Sequence, residues 1–175
     1  MQYLPTAFAQ LVFAWKLYHY GLKRRIDRRS LDIPITFKDV GMVLVLPDQI
    51  FESDDDLIIA LENNLVVAFG AAAITLNRSR EQAGHALPQQ MTSENDQCIC
   101  LIYQIRNAFA HDIAEPKWEI RNPVFQQVYE FGGIRVDLSN VDGNRFDYAD
   151  IGGPDVLFRI KEYAEEHLWR PPNSL

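Results

Sequence analysis

The chain has 175 residues, 47% of them hydrophobic and 23% charged, with a formal net charge of −7. That suits an ordinary chain able to bury one sizeable core, so a single domain over 1–175 is expected. The acidic balance argues against a general nucleic-acid coat protein, while leaving room for a local cationic patch.

Leu4–Trp15 is apolar, but no lysine or arginine precedes it, and Lys16 and Lys23–Arg25 follow. This is not a signal-peptide pattern, and retention in the cytoplasm is expected. Leu4, Phe8, Leu11, Val12, Trp15, Tyr18 and Leu22 recur at helical steps, predicting a long amphipathic helix that Gly21 weakens or ends. Next comes "KRRIDRR", Lys23–Arg29, with five cations and one anion. Such a run reads either as a solvated helix end or as a phosphate-contact patch of Lys23, Arg24, Arg25, Arg28 and Arg29.

Pro34 and Pro47 predict a loop over Ser30–Glu52, with a short strand at Met42–Leu46. Ser53 before Asp54, Asp55 and Asp56 is a helix start, a cap rather than a metal site. The helix carries Ile58, Leu61, Leu65, Phe69, Ala72 and Leu76 on one stripe, and Ala68, Gly70, Ala71 and Ala73 allow a neighbour to approach. Its apolar stretch Leu65–Leu76 is too short to span a bilayer, so a buried helix and no membrane partner are expected. Gly84 and Pro88 end it.

A third helix starts at Ser93–Asp96, runs through Cys98 and Cys100, and is closed by Pro116. The two cysteines lie on nearly opposite sides of it, which predicts free buried thiols in a reducing compartment. Further on, "QVYEF" and "IRVDL" around Gly132-Gly133 predict a hairpin, and Asp142-Gly143 a second turn. From Pro154 helical spacing returns through Val156, Leu157, Ile160, Tyr163, Ala164 and Leu168, until Pro171 and Pro172. The expected fold is mainly α, with about four helices and a small β insertion at about 117–146 between the third and fourth.

Enzyme signatures such as a phosphate loop, a dinucleotide fingerprint, a zinc helix or a nucleophile elbow are missing from the sequence. Asp137, Asp142, Asp147 and Asp150 are out of register for a calcium loop, and neither a metal nor a cofactor is expected. What remains is Arg106 and His111. On a continuous helix Cys98, Leu101, Ile102, Ile105 and Phe109 face the core, while Tyr103, Arg106, Asn107, Ala110 and His111 sweep the other side. Arg106 and His111 then stand about 140° apart, with Ala110 leaving a shallow notch between them. Asn107 and His111, four residues apart, allow the amide to orient the imidazole. Arg80 and His85 repeat the spacing where a helix breaks.

"RNAFAH", Arg106–His111, at the end of an apolar helix resembles the Arg-x4-6-His motif of the HEPN superfamily, the "higher eukaryotes and prokaryotes nucleotide-binding" helical domains. The specific match covers Cys98–Pro116, and the helix count extends it loosely over the chain. The resemblance implies a HEPN-like bundle and a metal-independent endoribonuclease whose site forms between two motif helices of a homodimer. It implies His111 as general acid or base, Arg106 as the phosphate holder and Asn107 as their orienter; the polar second face of the helix, with Tyr103, Arg106, Asn107 and Ala110, is the expected homodimer interface. Family members that bind without cutting, and others in toxin–antitoxin or defence systems, imply the alternative of a non-catalytic dimer holding RNA, nucleotide or a protein antitoxin.

Overall fold

The computed structural model describes residues 3–169 apart from 34, 40, 47 and 48; the breaks expected from Pro34, Pro47, Pro171 and Pro172 lie outside the described residues. The chain is mainly α. It forms α1 (Leu4–Leu22), the single turn α2 (Arg28–Leu31), α3 (Asp54–Gln82), α4 (Glu94–Ala108) and α5 (Val156–His167). Strands β1 (Thr36–Asp39) and β2 (Met42–Val45) pair antiparallel between α2 and α3, and β3 (Val128–Phe131) and β4 (Ile134–Asp137) between α4 and α5.

The helix starts follow from local chemistry. Ser53 and Ser93 each accept a hydrogen bond from the backbone N–H three residues on, and Asp56 and Asp96 accept the serines' own N–H groups in return. These two capping boxes satisfy donors that the first helical turn leaves open. The Ser53 contacts hold the Asp56 carboxyl below the usual carboxylate range, and the backbone N–H of Thr92, with Ser93 after it, does the same for Asp96.

α3 packs between α1 and α4. The face α1 offers differs from the expected stripe: Val12 and Leu22 are exposed, while Ala14 and Gly21 are buried. Gly21 lies inside the helix, and a Cβ there would sit 2.5 Å from Leu61 Cδ1 of α3. Leu4, Phe8 and Leu11 are buried as expected, and the glycine at 21 lets the two helices close up there. On α3 itself Leu65, Phe69, Ala72 and Leu76 are buried as expected, but Ala71 is exposed. Because α3 starts at Asp54, it is long and apolar enough by length and composition to cross a membrane, unlike Leu65–Leu76 taken alone. Here its apolar side joins the core of α1 and α4.

The hairpin β3–β4 turns through Gly132 and Gly133 at φ +52° and +73°, the pair of positive angles that a type I′ turn needs. Its Tyr129, Phe131, Ile134 and Val136 are buried in the same core cluster as the helices, together with Trp118 and Leu138. The segment expected as an insertion thus builds core. Strands β1 and β2 pair where only one strand was expected, and Val43, Leu44 and Val45 are exposed on β2. Cys98 and Cys100 are free and buried.

Candidate functional site

α4 ends at Ala108, well before Pro116, and this decides the geometry of the motif. Phe109 is almost fully buried. Its ring packs over Gly70 of α3, where a Cβ would meet Phe109 Cδ1 at 2.6 Å and Ile113 Cγ1 at 2.7 Å. Phe69 and Phe146 flank that ring at centroid distances of 5.5 and 4.8 Å. Drawn into this pocket, the chain tightens: Phe109 N–H and Ala110 N–H donate three residues back, to Arg106 and Asn107, and Lys117 N–H takes the Ala108 carbonyl. The carboxylate of Asp112 then accepts from the N–H groups of Ala114 and Glu115, closing a side-chain turn.

His111 therefore stands on the turn after α4, and the 140° offset of a continuous helix does not apply. Nor does Asn107 reach the imidazole; its Oδ1 accepts from Arg106 Nη1 at 2.9 Å. The partner of His111 is Glu119, whose Oε2 lies 3.3 Å from Nε2. Arg121 Nη2 donates to that same oxygen at 3.2 Å.

The motif residues still meet. Tyr103, Arg106, Asn107 and His111 line one cleft of about 230 Å³, together with Gln104, Glu119, Arg121, Asn122 and Phe125. The wall opposite α4 is the segment from Glu119 to Phe125. Ala110 is exposed and does not line the cleft, so the expected notch is replaced by a trough between helix and loop. Arg106 and Asn107 are half-buried, and the His111 side chain is 67% exposed.

Glu119, Arg121 and Gln104 are absent from the sequence-based site. For the first two a signal existed: Trp118 and Ile120 are buried while Glu119 and Arg121 point outward, an alternation of period two. Gln104 gave none, since a glutamine in an apolar helix reads as any amphipathic position.

The cationic run lies elsewhere. α1 ends at Leu22, Arg24 sits at φ +50°, and Asp27 caps α2, so Lys23–Arg29 is a joint between helices rather than a helix end. Arg24 pairs with Asp54 at 3.1 Å, and Arg28 with Asp32 at 3.1 Å and with the Phe51 carbonyl. Two of the five expected phosphate-contact residues are therefore engaged in ion pairs, Arg24 at the surface and Arg28 partly buried. Arg24, Arg25, Arg28 and Arg29 line a separate cleft, sharing no residue with the Arg106 cleft.

Arg80 and His85 prove structural. Arg80 is buried and donates to Asn77 Oδ1, Glu81 Oε1 and the His85 carbonyl. His85 Nε2 lies 2.7 Å from the Leu168 carbonyl, tying the end of α3 to the end of α5. The acidic loop is likewise engaged. Asp137, Asp142 and Asp147 accept backbone N–H groups, and Asp150 accepts from Trp118 Nε1 at 2.8 Å. Among the described residues no three His, Cys, Asp or Glu side chains group as a metal site.

The chain matches no family model, no curated protein and no solved structure. Two guanidinium groups, an imidazole and a carboxylate in one small trough can bind a phosphate and exchange a proton beside it.

Proposed function

We propose that this chain is a metal-independent endoribonuclease of the HEPN type, acting as a cytoplasmic homodimer in the manner of toxin or defence nucleases. The observation that carries the reading is the convergence of Arg106, Asn107 and His111 on one cleft, with Glu119 set against the imidazole. In this reading Arg106, steadied by Asn107, holds the scissile phosphate and the charge that develops on it. Glu119 engages Nε2, which leaves Nδ1 to accept the proton of the RNA 2′-hydroxyl. That oxygen bonds to phosphorus as the P–O5′ bond breaks, the departing 5′ oxygen takes a proton from water, and a 2′,3′-cyclic phosphate remains.

A dimer would set a second copy's motif against Tyr103 and Ala110, on the half-buried to exposed side of this region. Light scattering tests that part: a strict monomer at micromolar concentration, with or without RNA, removes the shared-site form. The rival reading is a non-catalytic dimer that holds RNA, nucleotide or a protein antitoxin, and the 67% exposure of the His111 side chain favours it. Purified protein incubated with total RNA and EDTA, beside His111→Ala, separates the two. Cleavage by wild type alone supports the nuclease; intact RNA in both supports the binding module.

A further inference from the structure

Gln104 is 1% exposed, on the stretch of α4 that lines the Arg106 cleft, and its Nε2 has no hydrogen-bond partner. A buried amide N–H without an acceptor is unfavourable, and a leucine of similar size would avoid the problem. The cleft also holds Phe125, a half-buried aromatic whose carbonyl accepts the Tyr129 hydroxyl at 2.8 Å, which fixes its backbone. Asn122 Oδ1 accepts from Val124 N–H, anchoring the same wall. At about 230 Å³ the space is below the range of about 300–1,000 Å³ typical of drug-sized ligands, so a nucleotide would sit in it with part of its surface left in solvent.

We infer that Gln104 and Phe125 form a nucleobase subsite beside the phosphate position: on binding, the Gln104 side chain turns from beneath the cleft wall so that Nε2 donates to an acceptor on the base, and Phe125 offers a stacking face. Single-stranded RNA is read in this way, by bases unstacked onto aromatic rings and hydrogen-bonded along their edges. The inference rests on the cleft being a phosphate site, and it makes Gln104 a specificity residue of that site.

The test titrates wild type and Gln104→Leu with inorganic phosphate, ribose 5-phosphate and the four ribonucleoside monophosphates, by calorimetry and by the Gln104 side-chain amide signal in NMR. In wild type the nucleotides should bind more tightly than ribose 5-phosphate and shift that amide signal, which ribose 5-phosphate should leave in place. Gln104→Leu should lose about 2- to 12-fold of the nucleotide advantage, the worth of one hydrogen bond, with phosphate affinity unchanged and melting temperature no lower. Phe125→Leu should reduce the same advantage independently.

An unshifted Gln104 amide, or nucleotide binding equal in wild type and Gln104→Leu, overturns the base subsite while phosphate binding stands. Wild type that binds neither phosphate nor ribose 5-phosphate overturns the underlying reading of the cleft.

Discussion

Gly70→Ala should damage the site through the fold. The new methyl would lie 2.6 Å from Phe109 Cδ1 and 2.7 Å from Ile113 Cγ1. The Phe109 ring cannot swing away freely, because Phe69 and Phe146 hold it on two sides. Overpacking of this kind costs about 1–3 kcal/mol, and alanine in a helix interior returns about 1 kcal/mol over glycine. The net loss should be about 1–2 kcal/mol, since two side chains must move and one is confined. For a chain of this size that lowers the melting temperature by about 2–8 °C. Ala71→Gly, on the exposed side of the same helix, calibrates the propensity term alone. Because Phe109 and Ile113 bracket His111, RNA cleavage by Gly70→Ala should fall further than the folded fraction does. Thermal melts followed by circular dichroism and a cleavage assay read both effects. A variant as stable as wild type, with full activity, would refute the idea that this contact ends α4 and places His111.

Arg80→Ala should destabilise the fold by roughly 2–4 kcal/mol, measured by urea unfolding, because it leaves a cavity and removes donors from Asn77 and the His85 carbonyl; a neutral variant would contradict the buried network. Burial pushes the Cys100 thiol up to about 12 and raises Cys98 as well. The folded state thus favours the protonated thiols, a contribution present below the ordinary value of 9.0 and lost as pH rises through the folded value. Stability should decline above about pH 9, with both thiols unreactive at pH 8 until unfolding, and rapid labelling of the native chain would count against it. Replacing Lys23, Arg25 and Arg29 by glutamine should weaken RNA binding and flatten its salt dependence while leaving the Arg24 and Arg28 ion pairs. An unchanged salt slope would remove this joint from the RNA path.

What could be read from the sequence was chiefly what is local. Ser53 with Asp56 and Ser93 with Asp96 announce their helices because a capping box needs only four consecutive residues. Gly132-Gly133 between alternating strands announces its hairpin for the same reason. The end of α4 was not legible, because it depends on Phe109 meeting Gly70, a contact between distant parts of the chain. With it went the position of His111, its partner Glu119 and the trough that replaced the notch. The hairpin β1–β2 was half seen, since Thr36–Asp39 holds one apolar residue, Phe37, too few to announce a strand. Gln104 was not visible at all: that its amide is buried and unpartnered is a property of the packed core.

The most direct measurement of the central claim is the rate and end chemistry of RNA cleavage in EDTA by wild type and His111→Ala. A positioned histidine contributes about 10²- to 10⁴-fold, so the variant should be slower by that factor. Wild-type products should end in 2′,3′-cyclic phosphate, and a DNA copy of the substrate should survive. Equal cleavage by the two proteins, or activity abolished by EDTA, would contradict the assignment of His111 and Arg106 as a metal-free catalytic pair.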